Sequence, residues 1–361
     1  MEITMSYLRN AWYMAAWADE VQPEIIFHRM LLDEPIAFFR RADGQVAALR
    51  DRCPHRFVPL HLGRIVGDAI QCAYHGLEFD CSGACTRNPH GNIPKAARVR
   101  AYTVIERHGV VWIWMGNGVD ATPDTIPDFT FMHAVTPSAA SRGYLWTESS
   151  YKLVADNVMD LSHADFLHSD SVGGGAFTRS KPTVKEAGVG LCITWENTNE
   201  KALPAYDKYL PQPGQAVDFR TQVHWSAPAI MKLDIAITPT GRPYEEGLLT
   251  HNAHIVTPET AGTSHYFFWL TRQFHMDDEE VNARRQAIMF NAFNNEDKPM
   301  LREQQLAMGT DDLFSLNPIL LSTDAGAVRA RRKLDQLISE EQTPGLGPRQ
   351  LDRKASTRLG Q

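Results

Sequence analysis

Cys53-Pro54-His55-Arg56 and Cys72-Ala73-Tyr74-His75-Gly76 are the two stretches that decide how this 361-residue chain is read. Each sets one thiol and one imidazole close together, and residues 56–71 lie between His55 and Cys72. A [2Fe–2S] cluster with two cysteines on one iron and two histidines on the other needs that donor set. One thiolate and one imidazole from each loop would clamp it from both sides. Structural zinc also takes two Cys and two His, but usually as C-x2-4-C and H-x3-5-H pairs, and both pairs here are mixed. Pro54 restricts and Gly76 frees the backbone where it must wrap an inorganic core. The chemistry expected is one-electron transfer, not hydrolysis or group transfer.

Bulk properties set the frame. A chain of this length suggests two domains. A net charge of −7 argues against nucleic acid and anionic membrane as partners. Five cysteines, two of them already claimed as ligands, make a disulfide framework an unsuitable reading. With no signal peptide or long apolar run, the chain is expected in the cytoplasm. Tyr7 to Trp17 reads as a packed N-terminal strand or turn.

From Trp12 to Gly116 the pattern is of short strands: Pro35 to Arg40, Val46 to Arg50 and Val110 to Trp114, with Asp43-Gly44 as a hairpin turn. Cys81 and Cys85 flank the turn Ser82-Gly83 and read as turn or buried thiols. A Gly- and Pro-rich stretch around residues 117–130 suggests a domain boundary. Beyond it, strands at Gln222 to Trp225, His251 to Val256 and His265 to Trp269 mix with helices at Glu279 to Met308 and Ala325 to Glu340. Gly173-Gly174-Gly175 reads as a mobile loop. The division expected is 1–125, 126–340 and a disordered tail over 341–361.

A second donor cluster runs from Asp156 to His168 and includes Asn157, Asp160 and His163. Two histidines plus a carboxylate from elsewhere form a facial triad that leaves Fe(II) open positions for O2. In a regular helix His163 and His168 would point about 140° apart. Both reach one metal only where the helix is broken or bulged between them. Asn157, Asp160 and His163 fall at i, i+3 and i+6 and can share one face.

These motifs resemble those of the Rieske non-haem iron oxygenases. The family's cluster motif C-x-H-x(15–21)-C-x2-H is matched at Cys53, His55, Cys72 and His75, and its N-x2-D-x2-H-x4-H segment at Asn157, Asp160, His163 and His168. Arg9-Asn10-Ala11-Trp12-Tyr13, Tyr74-His75-Gly76-Leu77-Glu78 and Thr257-Pro258-Glu259-Thr260 extend the likeness over about residues 7–340. Glu296-Asp297-Lys298-Pro299-Met300-Leu301 resembles the corresponding stretch of vanillate and dicamba demethylase oxygenases. The resemblance implies an α+β chain: an all-β Rieske domain, then a helix-grip-like catalytic domain of antiparallel sheet and helices. It assigns the cluster to the first four residues and mononuclear Fe(II) to His163, His168 and Asp297, with Asp311 and Asp312 as alternatives for the carboxylate. It makes Asn157 and Asp160 part of the catalytic machinery. Asp160 would accept a hydrogen bond from His75 of a neighbouring subunit in a head-to-tail homotrimer.

The reaction so implied is O2-dependent oxidative dealkylation of an aromatic ether or N-alkyl amide by the oxygenase component of a multicomponent monooxygenase, releasing an aldehyde. Ring hydroxylation by the same iron, electron transfer without a catalytic iron, and zinc-stabilised binding are the competing readings. The register places pocket positions at Leu233, His254 and Ile288. An apolar Leu233 and Ile288 suggest a neutral or weakly polar aromatic substrate, because an apolar pocket cannot offset a buried carboxylate's desolvation. With no dinucleotide-binding motif in the chain, electrons are expected from a ferredoxin and an NAD(P)H-dependent reductase. Arg52, Arg56 and Arg64 could dock an acidic donor.

Overall fold

The computed structural model describes residues 7–342, which fall into two compact units, Tyr7–Asp128 and Phe129 onward. The tail expected over 341–361 lies almost wholly outside the described residues.

The first unit is built of strands. Its elements are β1 (Trp12–Trp17), β2 (Phe27–Leu31), β3 (Glu34–Arg40), β4 (Val46–Arg50), β5 (Arg64–Val66), β6 (Ala69–Gln71), β7 (Glu78–Asp80), β8 (Cys85–Arg87), β9 (Ala101–Arg107) and β10 (Val110–Trp114). A six-stranded antiparallel sheet runs β1-β10-β9-β4-β3-β2. Its β1–β10 end reads as continuous apolar runs because both strands are buried at every position. Gly44 takes φ +83° in the β3–β4 turn, as Asp43-Gly44 suggested. A smaller sheet, β5-β6-β7-β8, is inserted between β4 and β9. It carries both Cys/His loops over a core of Leu60, Ile70, Leu77 and Phe79, with Cys81 and Cys85 packed against its side.

The second unit is a seven-stranded antiparallel sheet with helices. Its strands are β11 (Ala140–Thr147), β12 (Thr183–Ala187), β13 (Gly190–Lys201), β14 (Ala216–Ser226), β15 (Ile230–Pro239), β16 (Leu248–Thr260) and β17 (Thr263–Thr271), in the order β11-β17-β16-β15-β14-β13-β12. In β14, Val217, Phe219, Thr221, Val223 and Trp225 are buried while the residues between them are not, the period of a half-buried strand. Helix α1 (Tyr151–Met159) packs on β16 and β17. Short helices α2 (Ala164–Leu167), α3 (Ala176–Arg179) and α4 (Pro204–Asp207) follow, then α5 (Glu279–Phe290), α6 (Lys298–Met308) and α7 (Ala325–Gln342). No helix among the described residues is long and apolar enough to cross a membrane.

The helical stretch expected from Glu279 to Met308 is not one α-helix. Residues Asn291–Asp297 form a π-helix between α5 and α6. A π segment inserts an extra residue into the turn and re-aims the side chains at its C-terminal end. Asp297 stands at that end.

Candidate functional site

The two cluster loops are conformational copies. In each, the residue four after the cysteine donates its amide to the cysteine carbonyl: Phe57 to Cys53 at 2.9 Å and Gly76 to Cys72 at 3.0 Å. Each cysteine amide donates to the carbonyl five residues on, Val58 at 2.9 Å and Leu77 at 2.8 Å. Both turns need a left-handed residue, and Phe57 (φ +62°) and Gly76 (φ +72°) supply it. Glycine does so freely. Phenylalanine does so at a cost of about 1 kcal/mol or more, and the Arg52 guanidinium lies 4.1 Å over its ring.

Between these loops the Cys53 and Cys72 sulfurs are buried and in contact. Burial pushes the Cys53 thiol up to about 11, and the Cys72 thiol adds to the rise. The Cys53 thiol therefore keeps its proton until a metal displaces it. The His55 and His75 rings stand 4.4 Å apart at the surface edge of the same loops. Two sulfurs inside and two imidazoles outside fit a mixed-ligand [2Fe–2S] cluster. His90, which the sequence did not single out, meets the His75 carbonyl at 3.0 Å through Nε2. Cys81 and Cys85 pack against the core that holds Cys53 and Cys72, and the Cys85 thiol donates to the Arg87 carbonyl at 3.3 Å.

In the second unit, α1 ends at Asp160, whose φ/ψ of −111°/95° breaks the helix. A 3-10 turn, Leu161–His163, then passes into α2, and His168 leaves it at φ −118°, ψ 34°. This change of winding brings the two histidines to one point, as a regular helix could not. The Asp160 carboxylate accepts from the Ser162 amide at 2.9 Å, and its carbonyl meets His163 Nδ1 at 2.5 Å. Asp165 ties down the triple-glycine stretch expected to be mobile, accepting from the Gly174, Gly175 and Thr178 amides at 3.1, 2.8 and 2.7 Å.

His163, His168 and Asp297 present donor atoms that all lie within 4.8 Å of one another. Asp297 Oδ1 is 3.1 Å from His168 Nε2 and 3.5 Å from His163 Nε2. Outer partners fix both rings, since His168 Nδ1 lies 2.5 Å from Glu296 Oε2 and His163 Nδ1 meets the Asp160 carbonyl. With each Nδ1 occupied, both Nε2 atoms face the shared point, the arrangement of metal-binding imidazoles. Burial opposes protonation of His168, but Asp297 and Glu296 together outweigh it and raise its pKa. Asn157 joins the group through Nδ2, 2.9 Å from Asp297 Oδ1 and 3.4 Å from His163 Nε2. Asp311 pairs with Lys152 and Asp312 caps Ser315, so neither enters this cluster.

A pocket opens beside the trio between the sheet and α5. Leu233 on β15 and His254 on β16 line it, as expected. Ile288 does not; the wall residue is Met289, one step along the helix, and that single step rotates the side chain by about 100°. His254 is 2% exposed, with Nδ1 2.7 Å from the Tyr266 hydroxyl and Nε2 buried with no partner among the described residues. Burial lowers its pKa to about 4. Phe293 packs against His254, Tyr266 and Phe268, at 5.7, 5.7 and 5.0 Å between ring centroids. The pocket is not wholly apolar. Asn252, the cross-strand partner of Leu233, lines it, as do Arg272 and Arg285.

The comparisons with known proteins agree with this geometry. The Rieske [2Fe-2S] domain family matches residues 11–102, and the vanillate O-demethylase oxygenase C-terminal domain family matches residues 147–340. The oxygenase component of chloroacetanilide N-alkylformylase from Rhizorhabdus wittichii is 36% identical over 94% of this chain and 97% of its own. The oxygenase component of dicamba O-demethylase from Stenotrophomonas maltophilia is 37% identical over 92% and 98%. A crystal structure of dicamba monooxygenase bound to 3,6-dichlorosalicylic acid matches at 36% identity and a TM-score of 0.86, covering 93% of this chain and 98% of that one. Such relatives are components of multicomponent systems with a Rieske cluster and a non-haem iron. The chain belongs to the Rieske non-haem iron oxygenases, as an oxygenase component of the group carrying the vanillate O-demethylase C-terminal domain.

Proposed function

We propose that Cys53, His55, Cys72 and His75 hold the [2Fe–2S] cluster, that His163, His168 and Asp297 hold Fe(II), and that the enzyme dealkylates an aromatic ether or N-alkyl amide. The convergence of two imidazole Nε2 atoms and one buried carboxylate on the wall of an aromatic-lined pocket carries this reading. When bound, the two centres deliver electrons and activate O2, so that O2, two electrons and two protons give water and one oxygen inserted next to a heteroatom. The hemiacetal or hemiaminal so formed splits into an aldehyde and a free phenol or amide.

The chain's own residues bind and orient. Phe293 and Leu233 take the faces of the substrate ring. His254, neutral at ordinary pH, offers its unpartnered Nε2 to the substrate heteroatom. Glu296 and the Asp160 carbonyl hold the iron histidines in register. Asp160 keeps one carboxylate oxygen on Ser162 and gives the other to His75 of a neighbouring subunit in a head-to-tail homotrimer. A heterologous interface of this kind closes as a ring. Exposed Phe57, Leu62 and Tyr74, the last 62% exposed, crowd the histidine edge of the cluster and fit a protein contact there.

A ferredoxin and an NAD(P)H-dependent reductase supply the electrons. Of the basic residues beside the cluster, Arg52 is stacked on Phe57 and Arg64 is bonded to Gln71 at 2.8 Å, which leaves exposed Arg56 as the docking charge. Five free cysteines fit a reducing cytoplasm. The test is aldehyde release from methoxyarenes and N-alkoxymethyl anilides by the metal-loaded protein with a ferredoxin, a reductase and NADH. Aldehyde matching the O2 consumed is expected. A ring-hydroxylated product with its alkyl group intact would overturn the dealkylation reading.

A further inference from the structure

The seven-stranded sheet has a second face, and it carries a nucleophile that the iron chemistry does not use. Side chains alternate between the two faces along a strand. Thr221, Leu233 and Asn252 line the pocket beside the metal ligands, so Gln222, His224, Lys232, Asp234 and His251 stand on the opposite face. The register sets two rows of side chains there. Cys192, His224 and Lys232 face one another across β13, β14 and β15. Thr194, Gln222, Asp234 and His251 form the adjoining row from β13 to β16.

These rows join a thiol, an imidazole and a carboxylate. His224 Nε2 lies 3.5 Å from Asp234 Oδ2, and His251 Nδ1 meets Asp234 Oδ1 at 2.6 Å. Lys232 Nζ stands 3.1 Å from Asp234 Oδ2. The Cys192 sulfur is 3.6 Å from the Thr194 hydroxyl and 3.8 Å from the Gln222 amide nitrogen. Cys192 is half-buried and the His224 side chain is 40% exposed, so a small solute reaches the sulfur. The His224 imidazole beside Cys192 lowers the thiol's pKa and outweighs the opposing effect of burial. Asp234 and Cys192 in turn raise His224 to about 9, so the ring keeps its proton near neutral pH. Burial opposes ionisation of Asp234, but His224 and His251 hold it as a carboxylate. Cys85, also half-buried, behaves in the opposite way, because burial raises its thiol. The thiolate is the reactive form of cysteine.

We propose that Cys192 is a peroxide-reactive thiolate, a modification site on the sheet face opposite the metal-binding pocket, with the His224 imidazolium as its proton donor. The sulfur attacks one oxygen of hydrogen peroxide, an S–O bond forms and the O–O bond breaks. Cysteine is oxidised by two electrons to the sulfenic acid and the peroxide is reduced. The departing hydroxide takes the His224 proton and leaves as water. The Thr194 hydroxyl and the Gln222 amide border the sulfur and offer hydrogen bonds to the peroxide oxygens. Asp234 positions the imidazolium, and His251 braces Asp234 from the next strand. A sulfenic acid is returned to the thiol by reduction, so the modification is reversible.

The test is dimedone trapping in the metal-loaded protein exposed to a stoichiometric amount of hydrogen peroxide, with each labelled cysteine located by peptide mass spectrometry. Cys81 and Cys85 in the same molecules are the internal controls. Cys192 should form sulfenic acid about 10-fold or more faster than either. Alkylation by iodoacetamide, which involves no peroxide, should show the same order. His224→Gln should slow both reactions at Cys192 by about 10-fold while leaving Cys85 unchanged. Asp234→Asn, which keeps the ring and removes its charge partner, should slow them by a smaller factor. Thermal melts check that both variants are folded, and the wild-type comparison among its own cysteines stands without them. Labelling of Cys192 no faster than of Cys85, or undiminished in both folded variants, would overturn the proposal. So would fast alkylation of Cys192 with no sulfenic acid. Sulfenic acid that disappears when a chelator strips the mononuclear iron would assign the oxidation to the metal and overturn it as well.

Discussion

Asn157 Nδ2 stands 2.9 Å from Asp297 Oδ1 although 140 residues separate them. This contact joins the last turn of α1 to the π-helix before α6. It draws the three metal-binding side chains toward one point and aims the carboxylate there.

Asp297→Asn should empty one centre and spare the other. Iron is expected to fall from about three to about two per chain with about two sulfides retained. The spectrum of the reduced cluster should be unchanged, and turnover should drop at least about 100-fold. Loss of sulfide in this variant would contradict two independent centres.

Glu296 orients His168 from its far nitrogen at 2.5 Å. Removing such an outer partner typically weakens metal retention about 10- to 100-fold. Glu296→Gln should therefore release iron faster to a chelator, with the cluster intact. Unaltered iron release would show that Glu296 does not set the ring.

Asp160→Asn should keep both centres loaded and slow the passage of electrons between them. Rapid-mixing oxidation of the pre-reduced cluster by O2 in the presence of substrate reads that step directly. Wild-type cluster oxidation in the variant would remove Asp160 from the electron path.

Burial holds His254 at a pKa of about 4, below the 6.5 of an exposed imidazole. The folded state resists the proton that the unfolded state accepts, so the neutral ring's contribution is fully present above pH 6.5. It is lost as the pH falls toward 4, at most about 3 kcal/mol over that window. Thermal melts should show His254→Gln with a flatter pH dependence than wild type between those limits. Parallel curves would contradict a buried neutral imidazole.

Much of the site could be read from local sequence. All four cluster residues lie within residues 53–75, and His163 and His168 share one short segment, so motif spacing sufficed. Asp297 is different, because a lone Asp within Asn294-Asn295-Glu296-Asp297 looks like solvated helix surface. Only resemblance singled it out, and the π turn that points it inward has no local signature. The same turn hides the register of the helix wall, so that Met289 lines the pocket in place of the expected Ile288. Arg284-Arg285, in a helix where Glu280 already pairs with Arg284 at 2.7 Å, reads as ordinary surface charge. Arg285 is seen to line the pocket only once α5 is laid beside the sheet. Strands β12 and β13 are hidden in the sequence for a related reason: polar alternation, as over Thr194 to Lys201, resembles loop composition.

The most direct measurement is iron and acid-labile sulfide content of the anaerobically purified protein, with the EPR spectrum after dithionite reduction. About three irons and two sulfides per chain, with a low-average-g Rieske signal, are expected if one chain holds both centres. Two irons and two sulfides that no Fe(II) addition raises would leave only an electron carrier. Zinc without sulfide would contradict both metal assignments.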